Sequence, residues 1–217
     1  MAYLTTRTDR MTPPPQTATR RTDGAETRRE ILGVAHRLFT TIGYRKTTVA
    51  DIAAELGMSP ANVYRFFESK KDINESVAEL LLGEISDTLE AIARSGEGSA
   101  ADRLAAVLRA LARLSEERFM TNKRMYDMVE AAMAESWSVC ERYIERVSAV
   151  LAALVQEGRS SGEFDVPDAA VGALCVHSSM VCFCHPAMIA QSADHPKPSV
   201  DEIVAFVLRG LGAAPAR

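Results

Sequence analysis

Apolar side chains recur at helical spacing from about residue 23 to the end of this chain, and no stretch alternates like a half-buried strand. Residues 1–22 stand apart: Thr, Arg and Pro13-Pro14-Pro15 dominate and no apolar period exists to pack, so they read as a flexible arm. Asp23 and Glu26 have the spacing of a capping box. Behind them Ile31, Leu32, Ala35, Leu38, Phe39 and Ile42 fall on one face, and Gly43 supplies a left-handed stop. Thr48 and Asp51 cap a short second helix carrying Val49, Ile52, Ala53 and Leu56, which Gly57 ends. Ser59-Pro60 restarts a helix at once, with a hydroxyl N-cap and proline at the first helical position. Ser69 and Asp72 open a long helix through Val77, Leu80, Leu81, Ile85 and Leu89 that breaks at Gly96-Glu97-Gly98.

The period stays helical from Ser99 onward. Leu104, Val107, Leu108, Leu111 and Leu114 mark one helix, and Met125, Met128, Val129 and Met133 another. Ser138 and Glu141 open a third, with Ile144, Val147, Val150, Leu151, Leu154 and Val155 inward. A turn at Gly162-Glu163-Phe164-Asp165 precedes a segment, Ala169 to Phe183, that is apolar nearly all round; Pro186 and Pro196/Pro198 bracket a loop, and a last helix runs from Ser199 to Leu211. The expected fold is all-α, with about nine helices. It divides into the arm at 1–22, a three-helix helix-turn-helix head at 23–75 and a helical body at 76–217.

The head carries the chemistry. Two short helices joined by Leu56-Gly57-Met58 meet the requirement of a helix-turn-helix, whose turn needs a residue tolerant of positive φ. The second helix of such a pair enters the major groove, so it must start sharply and show small or polar side chains at its N-terminal end. Ser59, Pro60, Ala61, Asn62, Tyr64 and Arg65 fit, while Val63 and Phe66, with Phe67, face inward towards Ile52 and Leu38.

The stretch ETRREILGVAHRLFTTIGYRKTTVADIAAELGMSPANVYRFFESKKDI resembles the DNA-binding domain of the TetR family of bacterial regulators. The likeness runs from about Glu26 to Val77 and includes Phe39, Gly43-Tyr44, Thr47-Thr48, Ile52-Ala53, Gly57, Ser59, Tyr64, Phe66 and Lys70. It implies that Thr48 and Tyr64 contact phosphate through their hydroxyls, with Thr47 beside them, and that Lys70 does so through its ammonium group. It also implies that Pro60, Ala61 and Asn62 face the bases. Arg65 stands where many members carry histidine, a departure that adds a cation near the backbone. The resemblance further implies a body that binds a small-molecule effector and forms a homodimer, and a regulator that is a repressor released from its double-stranded operator.

Composition changes this picture little. Hydrophobic residues at 47% with 25% charged suit a globular protein. No apolar run is long enough to span a membrane and no secretory signal opens the chain, so the cytoplasm is the expected location, at the nucleoid when DNA is bound. The net charge of -4 hides a polarity: residues 1–75 sum to +3 and residues 76–217 to -7. Much of the positive excess sits in the arm, so charge supports DNA binding without deciding it.

In the body, Phe119, Met120, Met125, Met128, Met133, Trp137 and Cys140 form a soft lining that reads either as plain core or as the wall of a largely apolar effector site, with Tyr126, Tyr143 and His177 as its polar contacts. The Ala169–Phe183 segment and the last helix are too apolar for a surface and suggest a dimer core around Val176, Met180, Phe183, Val207 and Leu211. The run Cys175-x-His177-x4-Cys182-x-Cys184-His185 invites a metal or thiol-sensor reading. On one straight helix, however, its two pairs point about 160–200° apart, which favours buried cysteines over a ligand set. No phosphate loop, nucleophile elbow or carboxylate pair points to an enzyme, and no cofactor is called for. The rival readings are a regulator sensing redox state or metal through these Cys and His residues, and an architectural DNA-binding protein without a ligand.

Overall fold

The computed structural model describes residues 20–120, 123–135, 138–191 and 195–213, and these hold eleven helices and no strand. Helix α1 (Arg20–Thr41) begins ahead of Asp23, so residues 20–22 are helical and Asp23 lies inside the helix. The rest of the expected arm, residues 1–19, lies outside the described residues. Ile31, Leu32, Ala35, Leu38 and Phe39 are buried as their spacing requires. Ile42 is not: the helix stops at Thr41, the chain turns at Gly43 with φ of 101°, and Ile42 is left 43% exposed.

Helix α2 (Val49–Glu55) starts from a closed capping box, with the Asp51 amide donating to Thr48 Oγ1 at 3.1 Å and the Thr48 amide donating to Asp51 Oδ2 at 2.8 Å. Gly57 takes a φ of 64° at the turn, and Ser59 caps α3 (Pro60–Val63) by accepting from the Asn62 amide at 3.3 Å. Phe39, Ile52, Val63 and Phe67 close the core beneath. Ser69 then caps α4 (Lys70–Arg94), which passes residue 75 without a break. Head and body therefore share one rigid rod.

The body gathers α5 (Ala100–Met120), α6 (Lys123–Ala134) and α7 (Ser138–Ser161) around α4. Leu82, Ile85, Leu89, Leu104, Leu108, Leu111, Leu151 and Val155 fill the space between. Ion pairs fasten α4 at its rim: Arg142 to Glu79 at 3.2 Å, Arg146 to Asp87 and Glu90 at 2.6 Å each, and Arg118 to Glu84. The turn after α7 closes tightly because Gly158 has no side chain; a Cβ there would come within 2.3 Å of the Phe164 ring. Glu163 in the same turn accepts from the amides of Ala100 and Ala101 at 3.2 and 3.0 Å, so it caps the first turn of α5.

The apolar segment after Asp168 is three helices: α8 (Ala169–Ser179), α9 (Val181–Cys184) and α10 (Pro186–Gln191), followed by α11 (Val200–Gly210). This is why eleven helices stand where about nine were expected. Pro186, expected to border a loop, instead heads α10, and it forces His185 out of the helical region to ψ of 122°. Val176, Met180, Phe183, Val207 and Leu211, expected to face a partner, are all buried against their own chain. The outward face of α8 and α11 instead presents Val171, Leu174 and Phe206 at 55%, 63% and 62% exposure, with Cys175 beside them. Only hindsight separates the two sets, because a helix apolar all round offers no polar face from which to read orientation.

Candidate nucleic-acid interface

The outer surface of the head is built from three helix starts. Thr48 opens α2, Ser59 opens α3 and Lys70 is the first residue of α4. Ser59, Pro60, Ala61, Tyr64 and Arg65 are exposed, with Tyr64 at 48%, and Asn62 is half-buried. Asn62 is held at both ends: its side-chain amide donates to Met58 Sδ at 3.7 Å and its carbonyl accepts from Arg65 at 3.4 Å. Lys70 Nζ donates to the Arg45 carbonyl at 3.2 Å, which ties the start of α4 to the loop between α1 and α2. Burial lowers the Lys70 ammonium, and Asp51 nearby partly restores it.

Thr47 departs from the expectation. It is fully buried and its hydroxyl donates to the Gly43 carbonyl at 2.9 Å, so it secures the turn after α1 and presents nothing to DNA. The family resemblance sets Thr47 beside Thr48, but neighbours at this turn point to opposite sides.

Three acidic residues of the head, Asp51, Glu55 and Asp72, are spent on internal bonds. The amide and hydroxyl of Thr48 hold the Asp51 carboxyl below its usual range, the Arg37 guanidinium does the same for Glu55 at 2.6 Å, and Asp72 accepts from the Glu68 amide at 3.0 Å. Arg45, Lys46 and Arg65 project from the same domain into solvent. Arg45 and Lys46 were not picked out from sequence, although a basic pair directly before the Thr48 cap was the available signal. The domain thus offers cations where a polyanion would dock, without a large net charge.

Arg28 on α1 lies over the Phe67 ring at 4.6 Å and donates to Ser76 on α4 at 3.1 Å, stiffening the joint between the head and the shared helix. On the other side Arg124 of α6 donates to the carbonyls of Thr40 and Thr41 at the end of α1. The head is therefore held by two elements of the body, α4 and α6.

Of the residues expected to hold an effector, Met128, Cys140 and Tyr143 are buried in the body, and Met133 is half-buried against that core. His177 is also half-buried, but its Nδ1 faces Ser148 Oγ at 3.1 Å across the α7–α8 contact, and burial lowers its pKa. Trp137 and the side chains of Phe119, Met120, Met125 and Tyr126 lie outside the described residues. Among the described residues no cluster of three metal-ligating side chains forms. The four cysteines are scattered between the core (Cys140), the surface (Cys175) and partly covered positions (Cys182, Cys184).

A small head whose reading helix stands clear of the core, mounted on a helical body by a continuous helix, defines a DNA-binding transcriptional regulator. Comparison with known proteins agrees. The family described as "Bacterial regulatory proteins, tetR family" matches residues 31–77, and that described as "Tetracyclin repressor-like, C-terminal domain" matches residues 100–204. The chain belongs to the TetR family. It is 29% identical over 162 residues to the HTH-type transcriptional regulator TtgR of Pseudomonas putida, covering 69% of this chain and 75% of that one. It is 35% identical over 91 residues to the HTH-type transcriptional repressor KstR2 of Rhodococcus jostii, covering 42% and 44%. The solved structure of RolR in complex with resorcinol shares the fold, with a TM-score of 0.60 at 19% identity over 89% of this chain and 91% of that one. Among the described residues, no helix is long and apolar enough to cross a membrane.

Proposed function

We propose that the protein is a cytoplasmic, non-enzymatic repressor that binds a two-fold operator as a homodimer and leaves it when a small, largely apolar molecule enters the body. Ser59, Pro60, Ala61 and Asn62 read base edges, while Thr48, Tyr64, Arg65 and Lys70 hold phosphates. The observation that carries this reading is the continuity of α4 from Lys70 in the head to Arg94 at its end in the body. An effector that moves the body side of α4 must move the head as well. The naming of KstR2 as a repressor, and of resorcinol as the ligand of RolR, supports both halves of the proposal by analogy.

The dimer contact we assign to the outward face of α8 and α11. Val171 and Phe206 border a groove of about 320 Å³ also lined by Gly172, Val176, Val207 and Leu211, and Leu174 stands exposed on α8 outside it. A face of this kind on paired helices suits a four-helix bundle between two copies. The five buried residues first expected at the interface thus support the residues that make it.

The test is selection of bound duplexes from a random DNA pool, followed by a thermal-shift and DNA-release screen of small apolar compounds. The expected result is an inverted repeat, together with compounds that stabilise the protein saturably and free the DNA. A single unrepeated site would remove the two-fold dimer. Stabilising compounds that never release DNA would remove the effector role.

A further inference from the structure

Thr48 and Lys70, which would hold phosphate near the loop between α1 and α2, have unequal donors to offer. The amide and the hydroxyl of Thr48 both donate to Asp51 Oδ2 at 2.8 Å, so neither proton is free for a phosphate oxygen. A phosphate approaching Thr48 also meets the Asp51 carboxylate, a like charge. Lys70 gives one of its three N–H bonds to the Arg45 carbonyl at 3.2 Å. Between the two stands Lys46, which is exposed and bonds nothing among the described residues. All three of its donors are available.

Other cations of the head are engaged or distant. Arg28 lies on Phe67 and bonds Ser76, Arg37 pairs with Glu55, Arg65 bonds Asn62, and Lys71 pairs with Glu75 at 3.5 Å. Arg45 turns towards the body. Its Nε donates to the hydroxyl of buried Tyr44 at 2.9 Å, and Glu135 and Asp127, at α6, add to the hold that Tyr44 has on its charge. Arg29 is as free as Lys46, but it sits twelve residues before Thr41 on α1, about 18 Å along the axis from the loop.

The carbonyl that Lys70 bonds belongs to the peptide joining Arg45 to Lys46. Backbone dimensions therefore put the Lys46 Cα within about 6 Å of the Lys70 ammonium group. A compact charge on a flexible four-carbon stem suits a phosphate oxygen, which needs a cation and a donor but no fixed fork. We propose that Lys46 is a further phosphate contact, on the phosphate that Lys70 holds or the next one in the same strand, and that it supplies the donors Thr48 has given to Asp51. The inference rests on the assignment of the helix starts to the DNA backbone and adds a residue to it.

Titration of the full-length protein with its selected operator and with an unrelated duplex, over a series of salt concentrations, tests this on Lys46→Gln, Lys46→Arg, Arg45→Gln and Lys70→Ala. Loss of one phosphate contact lowers the salt slope by about 0.9. With the affinity extrapolated to 1 M salt unchanged, that slope weakens binding about fivefold at about 0.15 M and about fifteenfold at about 0.05 M. Lys46→Gln should show this on both duplexes and melt with the parent, because its side chain bonds nothing in the protein. Lys46→Arg should restore the slope, and Arg45→Gln should leave it in place. Neutral methylphosphonate links, placed one at a time along the operator, then locate the contact. One of them should weaken the parent and leave Lys46→Gln unmoved, at the link to which Lys70→Ala is indifferent or next to it. An unchanged slope in Lys46→Gln overturns the inference. A lowered slope with no such link also overturns it, since the charge then acts at a distance without contact. A slope lowered by Arg45→Gln in place of Lys46→Gln moves the contact to Arg45 and has the same result. If Lys70→Ala lowers the slope and Lys46→Gln does not, the assignment of the helix starts stands and only this addition fails. If neither does, both fail.

Discussion

Replacing Phe206 by Asp separates assembly from folding, because the structure assigns this side chain to the outside of the subunit. A phenylalanine can bury roughly 200 Å², and Phe206 is 62% exposed in the single chain. That leaves about 120 Å² for a partner to cover, or about 3 kcal/mol at 25 cal/mol per Å², and a two-fold contact counts it twice. Losing about 6 kcal/mol raises the dimer dissociation constant by about 10⁴, and an unpaired carboxylate at the contact adds to the loss. The subunit itself should keep its helical content, since little of the ring packs within its own chain. Val207→Asp is the opposing control: Val207 is buried, so a charge there should unfold the subunit rather than divide the dimer. Sedimentation equilibrium over a concentration series, read beside thermal melts, distinguishes the two variants. Operator affinity should fall steeply for Phe206→Asp, since one head reads half a site. A Phe206→Asp protein that stayed dimeric at the parent's concentration with full operator affinity would show that α8 and α11 do not make the contact.

Two further outcomes follow from the head and from the turn after α7. Lys70→Ala should weaken binding to all DNA sequences alike and reduce the salt slope by about one, whereas Asn62→Ala should change which bases are preferred; titrations at several salt concentrations and a repeated site selection check both. For Glu163, burial pushes the carboxyl up but the amides of Ala101 and Ala100 and the hydroxyls of Ser161 and Ser99 outweigh it, so its pKa is lowered on folding. A lowered carboxylate stabilises the fold above its unfolded pKa and loses that contribution as pH falls through the folded value. Glu163→Gln should therefore cost about 1 kcal/mol in urea denaturation at pH 7, and the gap to the parent should narrow below about pH 4.3. A gap that held constant down to pH 3.5 would show that the charge is not what caps α5.

Three helix starts of the head were legible from sequence because each depends on atoms within four residues of one another, whereas Asp23 with Glu26 does not open α1, which starts at Arg20. Thr48 with Asp51, Ser59 with Pro60 and Ser69 with Asp72 all cap where their spacing indicated. Orientation was less legible, because it is decided by what lies opposite. Thr47 turns inward to the Gly43 carbonyl while its neighbour turns out, and nothing in the dipeptide distinguishes them. The same limit governs the apolar segment from Ala169. Its composition signals burial, but Val176 is covered by its own chain and Leu174, two residues earlier, is not. The difference is set by α7 and α11, which arrive from elsewhere in the sequence. The body's interior was the least legible part, since Ser115 reads as an ordinary polar residue on an amphipathic helix, and only the packing of other body helices on α5 buries it.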